Sequence, residues 1–522
     1  MATGYIVNTE RIYPSVLIRD IVDKTERPPF LEQGQVCAMG WVEIGNPLFP
    51  IQMRDTHQKT LSLDPTRGGD PRNETIYHLK EFFRESEGRT LHLSRILGID
   101  SKTKILKIKG KEEKTIDTDE EIDIFLNGTM NEWDKDPVVE QIELLIKLCP
   151  SSKIIVDIRN VKGEMEITLS DQYGVILYSV KGMADNTAKD ELDGYSLFIG
   201  DKADCNYITI KTNVNHADYT EDFHITQTYA NGLITNAGDE FVTTFHEPNL
   251  SMVMQDCDYF ISAGVENPTL IEMANAVTEN ASTYHIQDIV TDNIDDAIVR
   301  KTNYGISDEK VQFIWSRTPY RFLNGKFNVG LSGNLAGKLV KKNIRTQIER
   351  AGIVAENRID GVAGVRYPIE RNLSCGLKDL SREDKEKLTV ARINTVEMRR
   401  DKLVYSDILS AYSRTSHLMS FPVSDGVNYI DKTIARFIEF NLFRNLAVGK
   451  TSVRERTRLF FELCEAMHYF DDDKPKGKGK AYDFEVTDIN QDTVKVRWWG
   501  YMEGVIRKGD VQATIKTKDF EL

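Results

Sequence analysis

The first part of the chain alternates between short apolar runs and one amphipathic segment. The run VCAMGWVEI at 36–44 is almost wholly apolar and predicts a buried strand. The segment ETIYHLKEFFRES predicts a helix, and TLHLSRIL at 90–97 predicts a second strand. The apolar positions of the helix share one face: Ile76, Leu79, Phe82 and Phe83. Strand, helix, strand is the outline of an α/β unit, so we place the first part of an α/β core at 21–98.

The stretch at 99–245 has a different pattern. It is rich in Asp, Thr, Gly and Asn and carries short β-like runs such as KIIVDIRNV, GVILYSV and NYITIKT. This pattern predicts an inserted β-rich domain, which we expect at the periphery because inserted modules are usually joined through few contacts. Helix and strand patterns then alternate again in PTLIEMANAVTENA and STYHIQDIV, followed by a helix candidate at 335–352. The second part of the core is therefore placed at 246–352.

A C-terminal α/β domain is predicted at 353–510. Its first stretch, to about residue 392, has little periodicity, and ARINTVEMRR and KLVYSDILSAY then supply strand candidates. The broad apolar face of 428–446 predicts one helix. A second helix is predicted to begin at Ser452, because Ser452 and Glu455 have the spacing of a capping box. AYDFEVTDI and TVKVRWWGYME predict a closing strand pair. The fold class is thus multi-domain α/β (α+β).

Both chain ends are predicted to be extended segments. Residues 1–20 mix polar residues with Ile12, Val16 and Ile18, and Pro14 suits an edge segment more than a central strand. Residues 511–522 alternate Val511, Ala513 and Ile515 with polar neighbours, which is strand periodicity. We expect an N-terminal arm and a C-terminal donor strand, and this strand has little of its own fold to pair with.

Charge and composition exclude several classes of protein. The formal net charge is -14, whereas domains that bind a phosphate backbone carry a basic surplus, so nucleic acid is not an expected partner. A signal peptide and a membrane-spanning run are both missing from the sequence, so membrane insertion is not expected. The 6 cysteines are widely spaced without a CxxC pair, which predicts buried, reduced thiols and synthesis in the cytoplasm.

Motifs that carry chemistry are weak. Gly333 to Lys338 is similar to a phosphate-binding loop but has three residues between its glycines instead of four, and Leu339 stands where Ser or Thr should hold magnesium. A turn leading into a helix is the better interpretation. His216 and His224 do not have a metal-ligand spacing, and the acidic clusters Asp119–Glu121 and Asp471–Asp473 are more typical of solvated loops. With no G-x-S-x-G elbow either, we predict no catalytic, cofactor-binding or metal-binding residue.

One cluster of basic residues stands out in this acidic chain. It falls within the two predicted C-terminal helices and their junction: Arg436, Arg444, Lys450, Arg454, Arg456 and Arg458. A solvated face explains such a cluster as well as a docking surface for an acidic protein does.

The order of these segments resembles contractile phage tail sheath proteins over most of the chain. Three segments are similar to the start of that family: IYPSVLIRDI, CAMGWVEIGNP and YHLKEFFRESEGRTLHLSRIL. Two segments are similar to its middle: CDYFISAGVENPTLIEMANAVTENASTYHIQDIV and LSGNLAGKLVKKN. The last domain of the family is similar to the final part of the chain, which comprises ARINTVEMRR, the two predicted helices, FEVTDINQDTVKVRWWGYMEG and the alternating tail. The stretch from Gly361 to Lys387 is longer and more polar than in the family, and Asn490-Gln491 replaces the usual Asn-Asn pair.

The resemblance implies a structural subunit and not an enzyme. It implies a helical homopolymer of stacked hexameric rings around an inner tail tube, in contact with baseplate and tail terminator proteins, made in the host bacterial cytoplasm and carried in the virion. Contraction of this lattice would drive the tube through the target cell envelope. It also implies that the arms bearing Ile12, Val16, Ile18, Val511, Ala513 and Ile515 add strands to neighbouring subunits, and that the basic cluster includes tube-facing residues. A tailocin or extracellular injection system sheath fits equally, and a cytoplasmic α/β enzyme with a β-insertion is the distant alternative.

Overall fold

The structure is a computed structural model of the 522-residue chain. It describes residues 35–42, 44–45, 50–54, 74–98, 102–109, 119–121, 141–146, 148, 153–204, 207–212, 222–230, 241–243, 257–289, 291, 293–315, 319–322, 325–348, 361–369, 380–414, 416–470, 481–488 and 493–502. The predicted N-terminal arm and C-terminal donor strand both lie outside these residues.

A largely parallel sheet forms the centre of the described structure. Its strand order is β12-β3-β1-β13-β14-β15-β18, with β2 added beside β3. The strands are β1 Val36–Trp41, β2 Ile51–Met53, β3 Leu91–Gly98, β12 Phe241–Thr243, β13 Tyr259–Ile261, β14 Tyr284–Ile289, β15 Val311–Trp315 and β18 Ile393–Asn394. All neighbours are parallel except β2 and β12, which run antiparallel to β3. The α/β fold class predicted from the sequence is confirmed.

Helices cover both faces of this sheet, which explains why its strands read as continuous apolar runs. The helices are α1 Thr75–Ser86, α2 Ile199–Lys202, α3 Pro268–Asn280, α4 Ile294–Asn303, α5 Ser332–Ile348, α6 Arg382–Val390, α7 Phe421–Glu439 and α8 Leu446–Ala466. Along β1, Val36 and Ala38 join the core under α1 and α5. Cys37 and Met39 point to the opposite layer, under α3. The strand and helix predicted at 36–44 and over ETIYHLKEFFRES, and the strand at 90–97, are all present.

Two antiparallel sheets make up most of the described part of 99–245. One has the order β10-β6-β4-β5 and the other β11-β7-β8-β9. The strands are β4 Lys102–Lys109, β5 Asp119–Glu121, β6 Gln141–Ile146, β7 Ile154–Val161, β8 Glu164–Asp171, β9 Ile176–Met183, β10 Ile208–Thr212 and β11 Phe223–Tyr229. Strands β7 and β8 alternate buried and exposed residues, as one-sided sheets do. Asp119–Glu121, expected in a loop, is a strand because it pairs with β4.

The β-rich region is fastened to the central sheet through buried groups. Arg95 of β3 is fully buried, and its guanidinium donates to the carbonyl oxygens of Val42 (2.8 Å), Gly45 (2.7 Å) and Leu148 (2.7 Å). Leu148 follows β6, so one side chain connects the first core segment with the β-rich region. Strand β12 lies within 99–245 but pairs with β3 of the central sheet. The described β-rich sheets also share one continuous apolar core with the central sheet.

The C-terminal part corrects three sequence-based boundaries. Helix α6 lies in the stretch that was expected to have little periodicity. Leu388 is its one buried residue, and a capping box of Ser381 and Asp384 begins the helix. Helix α7 begins at Phe421 and not at 428, since Pro422 is accommodated in the first turn. Helix α8 begins at Leu446, capped by the Asn445 side chain, so the predicted capping box at Ser452 is wrong and Ser452 lies inside the helix.

Short strand pairs complete the described chain. They are β16 Pro319–Phe322 with β17 Gly325–Asn328, β19 Val396–Arg399 with β20 Lys402–Tyr405, and β21 Tyr482–Asp488 with β22 Val494–Gly500. The last pair is the one predicted from AYDFEVTDI and TVKVRWWGYME.

Candidate functional site

The predicted docking residues lie on a helical hairpin with an aromatic core of its own. Helices α7 and α8 and the β21–β22 pair enclose this core, which is separate from the core of the central sheet. Phe461 is its hub, with ring centroids 5.1 Å from Tyr482, 5.5 Å from Phe484 and 5.6 Å from Trp498. Aromatic packing of this kind holds the outer surface of the hairpin in a defined shape.

One face of α7 anchors the hairpin to the central sheet. Asp425 Oδ2 accepts a hydrogen bond from the Tyr259 hydroxyl at 2.8 Å, and the Ser424 and Tyr284 hydroxyls lie 2.8 Å apart. Further along the same face, Asn428 donates to the carbonyl oxygen of Ser282 at 2.8 Å. These groups are buried, so each bond also removes the cost of leaving a polar group unsatisfied.

The six basic residues do not form one surface. Lys450, Arg454 and Arg458 are spaced four residues apart and form a stripe along α8. Lys450 Nζ lies 2.7 Å from Asp488 Oδ2, and Arg458 lies 3.1 Å from Glu455 Oε2 and 2.6 Å from Glu462 Oε1. Much of the charge of this stripe is therefore balanced within the chain.

Arg444 and Arg456 form a second group around the ring of Phe440. Their guanidinium carbons lie 5.2 Å and 4.3 Å from the ring centroid, within cation–π range. Arg444 is exposed and also donates to Asn441 Oδ1 at 3.3 Å. Arg436 lies one turn before Phe440 on α7 and is half-buried. Stacking on an aromatic ring orients a guanidinium without removing its charge.

Exposed apolar residues lie beside this second group, at the connection between α7 and α8. Phe443 is fully exposed, and Leu442 and Val448 are 55% and 58% exposed. Phe443 has a φ of 62°, in the left-handed region that bulky residues rarely adopt. Apolar side chains held outward next to cations are typical of a protein-binding surface. The arginines are evident from the sequence, whereas the exposure of Leu442, Phe443 and Val448 becomes evident only in the fold.

The phosphate-loop-like segment has a different role. Gly333 and Gly337 lie inside α5 and not in a turn before it. A Cβ on Gly333 would lie 2.2 Å from the carbonyl oxygen of His78, and one on Gly337 would lie 2.7 Å from Cβ of Glu85. Both glycines therefore permit close packing of α5 against α1, which explains their spacing without a nucleotide.

Ser, His and Asp side chains meet at the carboxyl end of the central sheet, but their arrangement is not that of a hydrolase. Ser332 Oγ lies 3.2 Å from His78 Nδ1, and Asp288 Oδ2 lies 3.8 Å from the same nitrogen. In a catalytic triad the nucleophile and the acid face opposite ring nitrogens. All three side chains are also buried. The group joins α1, β14 and α5, with Asp288 Oδ1 accepting from the backbone N–H of Leu331 and Ser332.

This buried group changes the protonation of His78. Burial disfavours the charged imidazole, but the carboxylates of Asp288 and Glu74, and more weakly Glu81, outweigh that effect and raise the pKa of His78 above its usual value. Glu74 Oε1 lies 3.8 Å from His78 Nε2. The raised pKa favours the charged imidazole, which lies between the carboxylates of Asp288 and Glu74.

Several residues considered in the sequence analysis have other roles or lie outside the described residues. Lys338, at the end of the phosphate-loop-like segment, is buried, and its Nζ lies 3.0 Å from Glu85 Oε2. His224 is hydrogen-bonded to Asp157, whereas His216 and Asp471–Asp473 are not described. Within the described ranges, no group of His, Cys, Asp and Glu side chains is arranged to hold a metal ion. Of the helices described, none combines the length and hydropathy needed to cross a bilayer.

The hairpin, the central sheet and the β-rich sheets define a mixed α/β protein whose candidate site is a surface and not a cleft. A scan against models of known protein families finds no match, and a search of curated proteins finds no relative. Among solved structures, the chain is similar to a sheath tail protein from Desulfitobacterium hafniense, with a TM-score of 0.44 and 9% identity over 94% of this chain and 100% of that one.

Two further solved structures are similar over part of the chain. One is the PVC sheath complex of an extracellular contractile injection system in its contracted state, with a TM-score of 0.40 and 14% identity over 50% of this chain and 71% of that one. The other is from the anti-feeding prophage baseplate, with a TM-score of 0.39 and 13% identity over 55% and 76% of the two chains. Two of the three structures are described as sheath components.

Proposed function

We propose that the chain is the structural subunit of a contractile tail sheath. It polymerises as a helical lattice of stacked hexameric rings around an inner tail tube and contracts to drive the tube through a target cell envelope. In a phage it is part of the virion, is made in the host bacterial cytoplasm, and contacts baseplate and tail terminator proteins. A tailocin or an extracellular injection system would use the same kind of subunit.

The observation that carries the proposal is the order of the sheath-like segments, which fold as successive parts of one architecture. CAMGWVEIGNP and YHLKEFFRESEGRTLHLSRIL supply β1, α1 and β3, and the middle segments supply β13, α3, β14 and α5. The last segments supply β18, β19, the α7–α8 hairpin and β21–β22. An agreement of order over most of a chain is more specific than any of its short motifs.

A helical lattice requires contacts that join different surfaces of successive subunits and do not close into a ring. The arms at 1–20 and 511–522 suit this need, because an extended segment can add to the sheet edge of a neighbour through main-chain hydrogen bonds. Subunits connected in this way can move as rigid bodies and still remain connected. The energy for contraction is then stored in the extended assembly, and no nucleotide is consumed.

The inner tube is the proposed partner of the α7–α8 hairpin. Of the six basic residues, Arg444 and Arg456 are favoured because stacking on the Phe440 ring orients their guanidinium groups. A charged interface also suits a sheath that must release its tube, since exposed ion pairs contribute only about 0 to 1 kcal/mol each. Binding would then depend on repetition around each ring and along the tube.

Negative-stain electron microscopy of the purified full-length chain, alone and with its tube protein, tests the proposal. We expect tubular or sheath-like assemblies. A discrete small oligomer under all conditions would contradict the sheath function. Deleting 511–522 should leave a folded subunit that cannot polymerise, whereas a single polar substitution at Val511 or Ile515 should weaken assembly less, because backbone hydrogen bonds carry much of strand addition. Normal assemblies from the truncated chain would exclude the donor-strand role.

Two matched triple variants test the tube contact. The first is Arg436→Glu, Arg444→Glu and Arg456→Glu; the second is Lys450→Glu, Arg454→Glu and Arg458→Glu. Both change the net charge equally, so a general electrostatic effect would act on both alike. We expect the first triple to stop tube-templated assembly at low salt with an unchanged melting temperature, and the second to weaken it less. Normal assembly by both variants would make the basic cluster a solvated face.

A further inference from the structure

Two cysteine thiols touch each other in the centre of the sheet. Cys37 Sγ and Cys257 Sγ lie 3.3 Å apart although the residues are 220 positions apart in sequence. Their side chains are 0% and 1% exposed. Cys37 is the second residue of β1, and Cys257 lies shortly before β13, the parallel neighbour of β1. Cys257 precedes the strand ladder, and its carbonyl oxygen accepts hydrogen bonds from Thr283 and Lys432.

The surroundings keep both thiols protected while they are reduced. They lie in the apolar layer between the sheet and α3, with Trp41, Phe260 and Leu270. Burial, together with the neighbouring Cys37, raises the pKa of Cys257 well above its usual value. Lys432 opposes this shift: its Nζ donates to the carbonyl oxygen of Cys257 at 3.0 Å, and its charge favours a thiolate. The pair is thus slow to react but lies beside a cation that supports ionisation when an oxidant arrives.

We propose that Cys37 and Cys257 are a redox-sensitive pair that closes to a disulfide once the protein leaves a reducing compartment, and that this bond locks the central sheet. The change of compartment rests on the proposed function, because a sheath is assembled in the cytoplasm and acts outside it. The thiol chemistry itself depends only on the two side chains. Thiols stay reduced in the cytoplasm, and disulfides persist in oxidising surroundings.

A peroxide can supply the oxidising equivalents. The thiolate of one cysteine attacks an oxygen of hydrogen peroxide, which forms a sulfenic acid and, after protonation of the leaving hydroxide, one water. The second thiol, already in contact, displaces the sulfenic hydroxyl group, which leaves as a second water, and the disulfide forms. Two thiols and one peroxide thus give one disulfide and two waters. The sulfurs must approach by about 1.3 Å, from 3.3 Å to the usual disulfide distance of about 2.05 Å.

The bond would act on the whole core. The chain between the two cysteines contains α1, β3 and both β-rich sheets, so a disulfide would close a very long loop. In the chain-entropy account, a longer closed loop restricts the unfolded state more and raises stability more. An oxidised subunit should therefore resist unfolding better than a reduced one.

Peptide mapping of the full-length, unassembled chain tests the pair. The protein is purified with reductant, freed of it, exposed to hydrogen peroxide in its native state, then alkylated in denaturant and digested without reduction. We expect a linked peptide containing Cys37 and Cys257, lighter than the two reduced peptides by two hydrogen atoms. We also expect a melting temperature several degrees above that of the dithiothreitol-treated protein. Cys37→Ser and Cys257→Ser should each lose both the link and the rise.

The comparison of oxidised and reduced wild-type protein remains decisive if a serine variant fails to fold. The proposal is overturned if both cysteines of the peroxide-treated native protein can still be alkylated, if the link forms only in denaturant, or if it forms without a rise in melting temperature. Cys464 lies in the separate aromatic core and reports oxidation that is not specific to the pair. Since oxidation is measured on the isolated chain, its failure leaves the sheath proposal standing, and a failure of assembly leaves the thiol result standing.

Discussion

The close approach of α1 and α5 predicts a large effect for one small substitution, Gly333→Ala. The added methyl group would lie 2.2 Å from the carbonyl oxygen and 2.7 Å from the carbonyl carbon of His78. Both are backbone atoms of α1, so no side-chain rotation relieves the overlap and the helices must separate. Gly449 provides a matched control near the start of α8, because a Cβ there would meet its nearest neighbour, the carbonyl oxygen of Asn441, at 3.5 Å.

The expected magnitude follows from two opposing effects. Overpacking a well-packed core costs about 1–3 kcal/mol, and a backbone obstacle puts Gly333→Ala near the upper end of that range. Alanine improves helix propensity by up to about 1 kcal/mol over glycine. The net loss for Gly333→Ala is therefore about 2 kcal/mol, whereas Gly449→Ala should be neutral or stabilise the protein by up to about 1 kcal/mol.

Urea unfolding followed by circular dichroism measures the difference. With a urea dependence of about 3 kcal/mol per molar, the two variants should differ in midpoint by about 1 M. Equal midpoints would refute the reasoning, because the glycine would then have no packing role at Gly333. The experiment also bears on the phosphate-loop interpretation, in which glycine is needed for a ligand and its loss would leave the stability of the ligand-free chain unchanged.

Three further perturbations test other parts of the structure. The pKa of His78 is raised above 6.5 in the folded protein, so its stabilising contribution is complete below pH 6.5 and is lost as the pH rises through the folded-state pKa. His78→Gln should therefore reduce the loss of unfolding free energy as the pH rises, measured by urea unfolding at a series of pH values. Burial lowers the pKa of His285 to about 3, so stability should fall from pH 6.5 towards pH 3, by up to about 1.4 kcal/mol per unit, and His285→Gln should reduce this slope in acid titrations of the unfolding free energy. Arg95→Met leaves three carbonyl oxygens without their donor and should cost at least about 3 kcal/mol in urea unfolding, whereas the exposed control Arg159→Met should cost less than about 1 kcal/mol.

Elements that are buried over most of their length could be predicted from the sequence. Strand β1 is buried on both faces and reads as a continuous apolar run, and α1 shows one clear apolar face. The β21–β22 pair was predicted from its alternation. The architecture could be predicted because these patterns depend on burial, which acts over whole segments.

Boundaries set by single residues could not be predicted as well. Helix α6 was missed because its apolar content is low and its start depends on the Ser381–Asp384 capping box. The predicted start of helix α7, at residue 428, is too late because Pro422 and Gly426 weaken the helix pattern in its first turns. Asn445 caps α8, and a competing capping box at Ser452 obscured it. Each error arose where a local hydrogen bond or a turn residue outweighed periodicity.

Features that depend on tertiary contact could not be predicted at all. Arg95 binds carbonyl oxygens from two separate parts of the chain, and His78 lies beside Asp288 and Ser332 only in the folded structure. The division of the basic cluster into a paired stripe and an aromatic-stacked group has the same origin. The spacing of Lys450, Arg454 and Arg458 could have indicated the stripe, but their carboxylate partners include Asp488, which lies on another element.

The way α7 is packed connects the candidate docking surface to the rest of the subunit. Its first half is hydrogen-bonded to the central sheet through Ser424, Asp425 and Asn428, while its second half belongs to the aromatic core of the hairpin. A continuous helix shared by two cores transmits displacement without bending, because its backbone hydrogen bonds and both sets of contacts would have to break together. A force applied at Arg444 or Phe443 would therefore reach the central sheet directly. In the proposed sheath, this rigidity confines movement during contraction to the connections between subunits, which is where a lattice of strand-exchanging arms can accommodate it.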